Sequence, residues 1–277
     1  MPCFEYKKRD DFYVRLKKKT SRYEVFFVKF PSAVSTGLKQ ADYAWGLYYK
    51  VFNSKKTVII LHGLSMVFVT KYFSLKFAKA GISSFILVMP YAQARVPKKR
   101  IFSKIPDNID FVNGFKKGFI QSIVDVKKTI DFLEKENSSI GIMGISLGAI
   151  IAALIVCIDK KIRSAVLIVG GGDITNIVWK SRDFMVRFYK RILSRQTTRN
   201  KLIEQWKDID PLTYAKPGLQ ILMINGRYDT SVRPRYSKKL WRALGKPEIH
   251  WLRCAHFFLT HIFFVKNLVL SYFRKTL

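Results

Sequence analysis

The chain has 277 residues, 49% of them hydrophobic, and 50 Lys and Arg against 19 Asp and Glu give a net charge of +31. That length suits one large domain or two small ones, and that apolar content excludes a disordered chain. No internal repeat or low-complexity linker divides the sequence, so a single domain over 1–277 is expected.

The elements alternate along the chain. Arg22 to Phe30 and Tyr43 to Phe52, rich in aromatic and β-branched residues, read as an antiparallel pair of strands. Thr57 to Leu61 is a short, wholly apolar run, the pattern of a strand buried on both faces of a parallel sheet. Similar runs follow at Ser84 to Met89, Ile140 to Ile145, Ala165 to Val169 and Leu219 to Ile224, with Glu248 to Leu252 a weaker one. Helical patterns fill the gaps at Thr70 to Lys79, which ends before the capping glycine Gly81, at Phe115 to Glu136, Leu147 to Ile158, Pro234 to Leu244 and Phe257 to Phe273. Alternation of this kind predicts a doubly wound α/β sheet with helices on both faces. Two long connections, 91–114 and 170–214, interrupt it; the second holds helical patterns around Ile174 to Leu193 and Arg199 to Trp206. Insertions of this length usually cover an active site or are simply decorative, and these two are expected to wall the pocket.

Ile140 to Ile158 is apolar enough to raise the question of a membrane span. Gly141, Gly144 and Gly148 divide it into a β-rich run and an Ala/Leu/Ile run, so a buried strand followed by a buried helix is expected. At that junction Gly144-Ile145-Ser146-Leu147-Gly148 matches G-x-S-x-G. A serine on a sharp strand-to-helix turn needs small flanking residues, and the helix N-terminus behind it favours developing negative charge. Ser146 is therefore the candidate nucleophile, with the N–H of Leu147 as one oxyanion donor and the N–H of Leu64, after the turn His62-Gly63, as the second. No histidine or carboxylate cluster lies near His62, so no metal is expected there.

A serine hydroxyl needs an imidazole to take its proton and an acid to fix that imidazole's tautomer. Of His62, His250, His256 and His261, only His256 falls at a strand-to-helix junction. Asp229, in the turn after Leu219 to Ile224, lies 27 residues before it and gives the chain order Ser, Asp, His of the elbow hydrolases. Asp173, after Gly170-Gly171-Gly172, is the rival acid; its alternative role is a helix N-cap ahead of Ile174.

With these residues in place, the chain resembles bacterial α/β-hydrolases of the dienelactone-hydrolase and acetylxylan-esterase-like kind. The likeness rests on Leu61-His62-Gly63, the pentapeptide around Ser146, Asp210-Pro211-Leu212, Ile224 to Asp229 and His256, and runs from about residue 40 onward. It implies a mostly parallel sheet of about eight strands. It also implies a Ser146, Asp229, His256 triad, oxyanion positions at Leu64 and Leu147, and cleavage of small-molecule esters or thioesters without a cofactor. Three positions depart from the pattern. Ala255 stands where glycine commonly precedes the histidine, no extra glycine follows Gly63, and the elbow carries serine where dienelactone hydrolases carry cysteine. Residues 1–40 form an N-terminal extension and first strand outside the likeness. A peptidase, thioesterase or acyltransferase would use the same residues, and a catalytically silent membrane-surface binder is the reading from another class.

Cys3, Cys157 and Cys254 are odd in number and widely spaced, which predicts neither a disulfide framework nor a zinc site. Met1 to Arg9 carry charge and no apolar stretch, so no signal peptide is expected. Both features favour a cytoplasmic setting. The basic residues are scattered over many segments and form no specific nucleic-acid module. A Lys-rich solvated surface is one reading of the charge; peripheral contact with the anionic inner face of a membrane is the other. The oligomeric state is not encoded in any recognisable pattern.

Overall fold

The computed structural model describes residues 4–37, 39–64, 67–90, Arg95 and 110–277. Nine strands form one sheet: β1 Tyr13–Lys19, β2 Tyr23–Pro31, β3 Tyr43–Val51, β4 Lys56–Leu61, β5 Ser83–Val88, β6 Ser139–Ile145, β7 Ile162–Ile168, β8 Ile221–Gly226 and β9 Glu248–Leu252. Their spatial order is β1-β2-β3-β5-β4-β6-β7-β8-β9. Pairing is antiparallel from β1 to β5 and parallel from β5 to β9.

The helices are α1 Val67–Lys79, α2 Phe111–Leu133, α3 Leu147–Ile158, α4 Ile174–Lys180, α5 Phe184–Gln196, α6 Arg199–Gln205, α7 Pro234–Ala243 and α8 Ile262–Thr276. They cover both faces because the central strands are apolar on both. Ile59, Leu61, Ile142, Leu167 and Met223 face a layer built from α2, α3 and α7; the alternate residues Val58, Ile60, Met143, Val166 and Ile224 face α1 and α8. The apolar run from Ile140 resolves into β6 and α3, the latter buried from Gly148 to Cys157. Among the described residues no helix is long and apolar enough to cross a membrane.

Among the described residues the count is nine strands, against about eight expected. Tyr13–Lys19 pairs along Glu24–Lys29 although all seven of its residues are exposed. A strand that buries no side chain leaves no period-two signature and is held by its backbone ladder. Its lysines and arginine also discourage edge-to-edge pairing with another sheet. The predicted strand pair over 22–52 is β2 and β3.

Helix ends follow local chemistry. Gly81 (φ +77°) closes α1: its N–H donates to Ala78 O (3.3 Å), and Ile82 N–H donates to Phe77 O (3.0 Å). This double closure needs a left-handed residue, which glycine supplies without strain. The C-terminal helix begins five residues later than expected, because a short 3-10 turn, Leu259–His261, precedes α8. The 170–214 connection contains α4, α5 and α6. Most of 91–114, including the basic cluster Lys98 to Arg100, lies outside the described residues.

Candidate active site

The site sits at the carboxyl edge of the parallel strands. β6 ends at Ile145, α3 starts at Leu147, and Ser146 between them has φ +56° and ψ −118°. A non-glycine residue there is strained, and strain of this kind costs about 1–3 kcal/mol. Three features hold it. Ser146 N–H donates to Ile168 O (2.9 Å) on the neighbouring strand. A β-carbon on Gly144 would lie 2.2 Å from Gly148 O, and one on Gly148 would lie 2.4 Å from Leu61 O. Both glycines therefore permit a backbone crossing that an alanine would block.

The end of β4 lies beside this elbow, with Leu61 in register with Gly144. Gly63 continues over the serine: a β-carbon there would stand 3.1 Å from Ser146 Cβ. Leu64, the next residue, has an exposed side chain. Leu147, the first residue of α3, lacks an intrahelical acceptor for its N–H. Leu147 thus directly follows Ser146 in the chain, and Leu64 directly follows the glycine that packs on it.

His62 supports this loop from beneath. It is fully buried, its Nε2 accepts from Met89 N–H (3.0 Å) and its Nδ1 lies 2.6 Å from Gly63 O. With Nε2 accepting, Nδ1 carries the proton and donates to that carbonyl. Burial pushes the His62 pKa down, the Gly63 carbonyl opposes it, and the charge of Arg95 adds to the depression. A neutral imidazole with both nitrogens bonded inside the protein has no lone pair for a metal. No group of three potential metal ligands exists among the described residues.

Asp229 follows β8. One carboxylate oxygen, Oδ1, accepts from the N–H groups of Ser231 and Val232, both at 2.8 Å. The other, Oδ2, lies 2.8 Å from His256 Nδ1, and His256 Nε2 lies 2.8 Å from Ser146 Oγ. The carboxylate side chain is 2% exposed and the imidazole 13%. Sequence reasoning missed what joins the two loops. Arg227 N–H donates to Leu252 O (2.8 Å) and Tyr228 N–H to Cys254 O (3.0 Å), so the turn after β8 is laced to the segment after β9. A β-carbon on Gly226 would come within 2.4 Å of Ala255 O, so only glycine allows this approach. Two such loops, each leaving a parallel strand, are the signal that would have found it.

Asp173 lies elsewhere. It is left-handed (φ +70°) at the N-terminus of α4, and its carboxylate accepts from the Asn176 backbone N–H (3.4 Å) and side-chain amide (2.8 Å) and pairs with Lys239 Nζ (2.7 Å). It meets neither His256 nor Ser146 among these contacts. Asp210, part of the resemblance, accepts from the N–H groups of Asp173 (3.0 Å), Ile174 (2.6 Å) and Leu212 (3.0 Å). It ties the start of α4 to the 3-10 turn Pro211–Thr213. Burial lifts its pKa, and those N–H groups oppose the lift.

Residues 127–234 match the family described as BAAT / acyl-CoA thioester hydrolase C terminal. That stretch runs from α2 through the elbow to the turn bearing Asp229 and stops short of His256. Two uncharacterized Mycobacterium tuberculosis proteins, from strains CDC 1551 / Oshkosh and ATCC 25618 / H37Rv, are each 24% identical over 188 residues. The match takes in 64% of this chain but 42% of theirs, so the chain spans less than half the length of these relatives. An acetyl xylan esterase from Paenibacillus sp. R4 superposes with a TM-score of 0.77 at 16% identity, over 98% of this chain and 90% of that one. Acetyl xylan esterase 1 from Thermoanaerobacterium sp. JW/SL YS485 gives 0.74 at 13%, over 96% and 87%. An esterase of Pyrococcus furiosus, Pf2001, gives 0.56 at 18%, over 84% and 88%. At these identities the likeness is one of architecture: the chain has the α/β-hydrolase fold.

Proposed function

We propose that the chain is a serine hydrolase that cleaves carboxylic esters of small molecules through an acyl-enzyme. The observation that carries this reading is the unbroken line of two 2.8 Å contacts from Asp229 Oδ2 to His256 Nδ1 and from His256 Nε2 to Ser146 Oγ, ending on a strained elbow. Asp229 Oδ2 accepts a hydrogen bond from Nδ1–H of His256, which fixes the tautomer that leaves Nε2 as the base. Ser146 Oγ attacks the carbonyl carbon while its proton passes to Nε2. The oxyanion that forms accepts from the N–H groups of Leu147 and Leu64. Collapse breaks the bond to the alcohol oxygen, which leaves with the proton from Nε2. Water then gives a proton to Nε2 as it attacks the acyl carbon, and collapse breaks the bond to Ser146 Oγ, which takes that proton back from Nε2 as the carboxylic acid leaves.

The family match favours a second reading, thioester cleavage, because that family's description names an acyl-CoA thioester hydrolase. The same line of residues serves a thiolate leaving group. The two readings separate in one experiment. Purified protein is assayed on p-nitrophenyl esters of rising acyl length and on the matching acyl-CoA thioesters. The first reading expects kcat/KM on the oxygen esters to exceed that on the thioesters; the reverse order favours the second. In either case Ser146→Ala should lower turnover by about three orders of magnitude or more. Wild-type-like turnover by Ser146→Ala would overturn both.

A further inference from the structure

The carboxyl edge of the sheet carries a second feature besides the site. Several large aromatic side chains on segments that leave the carboxyl ends of the parallel strands stand in solvent, Phe184 83% exposed and Phe263 72%. Their placement follows from the fold. Phe68 lies in the first turn of α1 after β4, Tyr228 directly precedes Asp229, Phe257 directly follows His256, and Phe263 lies in the first turn of α8. Phe184 opens α5 beside the Asp229 turn, because Arg182 N–H donates to Thr230 O (3.0 Å) and Ser231 Oγ–H donates to Asp183 Oδ2 (2.8 Å). Exposed aromatics gathered at one edge mark a surface that meets something apolar.

The charge around them is predominantly positive. Segments 174–196, 226–233 and 253–266 carry six, two and two Lys or Arg, against Asp183 in the first and Asp229 in the second. Both acids are engaged, Asp183 with Ser231 and Asp229 with His256. Aromatic rings interleaved with arginine and lysine suit the boundary between phospholipid headgroups and acyl chains, where rings enter the interface and cations meet phosphates. A second copy of this chain does not fit, since two proteins of charge +31 would press like-charged faces together.

We propose that this rim docks the protein on an anionic phospholipid surface, with Phe184, Phe257 and Phe263 entering the headgroup region. The clause that the docked mouth draws acyl esters from the bilayer rests on the proposed hydrolase activity; the docking does not. No described helix crosses a membrane, so the attachment is peripheral and driven by charge together with the aromatic rim.

The test is co-sedimentation of the full chain with vesicles of phosphatidylcholine alone or with about one third phosphatidylglycerol, at about 0.1 and 0.5 M NaCl. Wild-type protein should bind the anionic vesicles at least about tenfold better than the neutral ones, and lose that advantage at the higher salt. F184S/F263S should lose binding by about tenfold while hydrolysing a soluble aryl ester as wild type does. R182Q/R187Q/R191Q tests the same face through charge alone and should lose binding to a similar extent. Ser146→Ala should bind as wild type, so silence in the ester assay with intact binding counts against the hydrolase reading alone. Equal partition into neutral and anionic vesicles would overturn the proposal, as would no binding, or wild-type binding by both surface variants. Tighter, aromatic-dependent binding of single-stranded RNA than of vesicles would overturn it too.

Discussion

Replacing Asp229 by Asn exchanges one carboxylate oxygen for an NH2 group and should silence hydrolysis. The outcome depends on which way the new amide faces. Oδ1 of Asp229 accepts two buried backbone N–H groups, from Ser231 and Val232 at 2.8 Å each, whereas Oδ2 serves one partner, His256 Nδ1. Turning the NH2 group towards the backbone would orphan both donors at about 1–3 kcal/mol each. The carbonyl oxygen therefore stays on the backbone and the NH2 faces the imidazole. His256 must then accept at Nδ1 and carry its proton on Nε2, pointing at Ser146 Oγ, where no lone pair remains to take the serine proton. Loss of the correct tautomer lowers turnover by about 10⁴, or about 5.4 kcal/mol of transition-state stabilisation. Since both N–H bonds survive, the thermal midpoint should move by no more than a few degrees. The assay is steady-state hydrolysis of an aryl ester beside a thermal melt, with Asp173→Asn as the control that keeps its helix cap and its turnover. Turnover by Asp229→Asn within about tenfold of wild type would refute the reasoning.

Other consequences follow from the packing around the site. Gly148→Ala places a β-carbon 2.4 Å from Leu61 O and 2.8 Å from His62 O, so it should cost about 3 kcal/mol or more by urea unfolding and abolish activity. Arg95 and Asp125 form a fully buried pair at 2.8 Å, and Arg95 also donates to Val88 O (3.0 Å) and Ala41 O. Arg95→Met should cost about 3–5 kcal/mol at pH 7. That deficit should shrink at pH 5, because burial already lifts the Asp125 pKa and the stranded carboxylate takes up a proton. His62 is held neutral with its pKa depressed, so the unfolded chain binds the proton first as pH falls. Its contribution is complete above about pH 6.5 and is lost below that, and His62→Gln should flatten this part of a stability-against-pH curve.

What the sequence disclosed and what it hid have physical causes. β4, β6, β7 and β8 were legible because strands buried on both faces must be apolar throughout, and the elbow because only glycines at 144 and 148 permit the backbone crossing. β1 was not legible, since a strand exposed along its whole length carries no alternation for a reader to find. The residues of the site could be named from spacing, but not what fixes them. The lacing of Arg227 and Tyr228 to the β9 loop and the bond from Met89 N–H to His62 Nε2 are contacts between segments distant in sequence, and the two N–H groups on Asp229 converge only once the turn over 229–232 has formed. Asp173 and Asp229 each follow the carboxyl end of a strand in the same parallel sheet, and only the three-dimensional arrangement shows which carboxylate meets His256.

The most direct test of the central claim is intact-protein mass spectrometry after exposure to a fluorophosphonate. A serine activated by His256 should displace fluoride and hold one phosphonyl group, which peptide mapping should place on Ser146. His256→Ala should label far more slowly, and Ser146→Ala should not label. A wild-type chain that takes up no adduct, or an adduct that maps to another residue and persists in Ser146→Ala, would contradict the account.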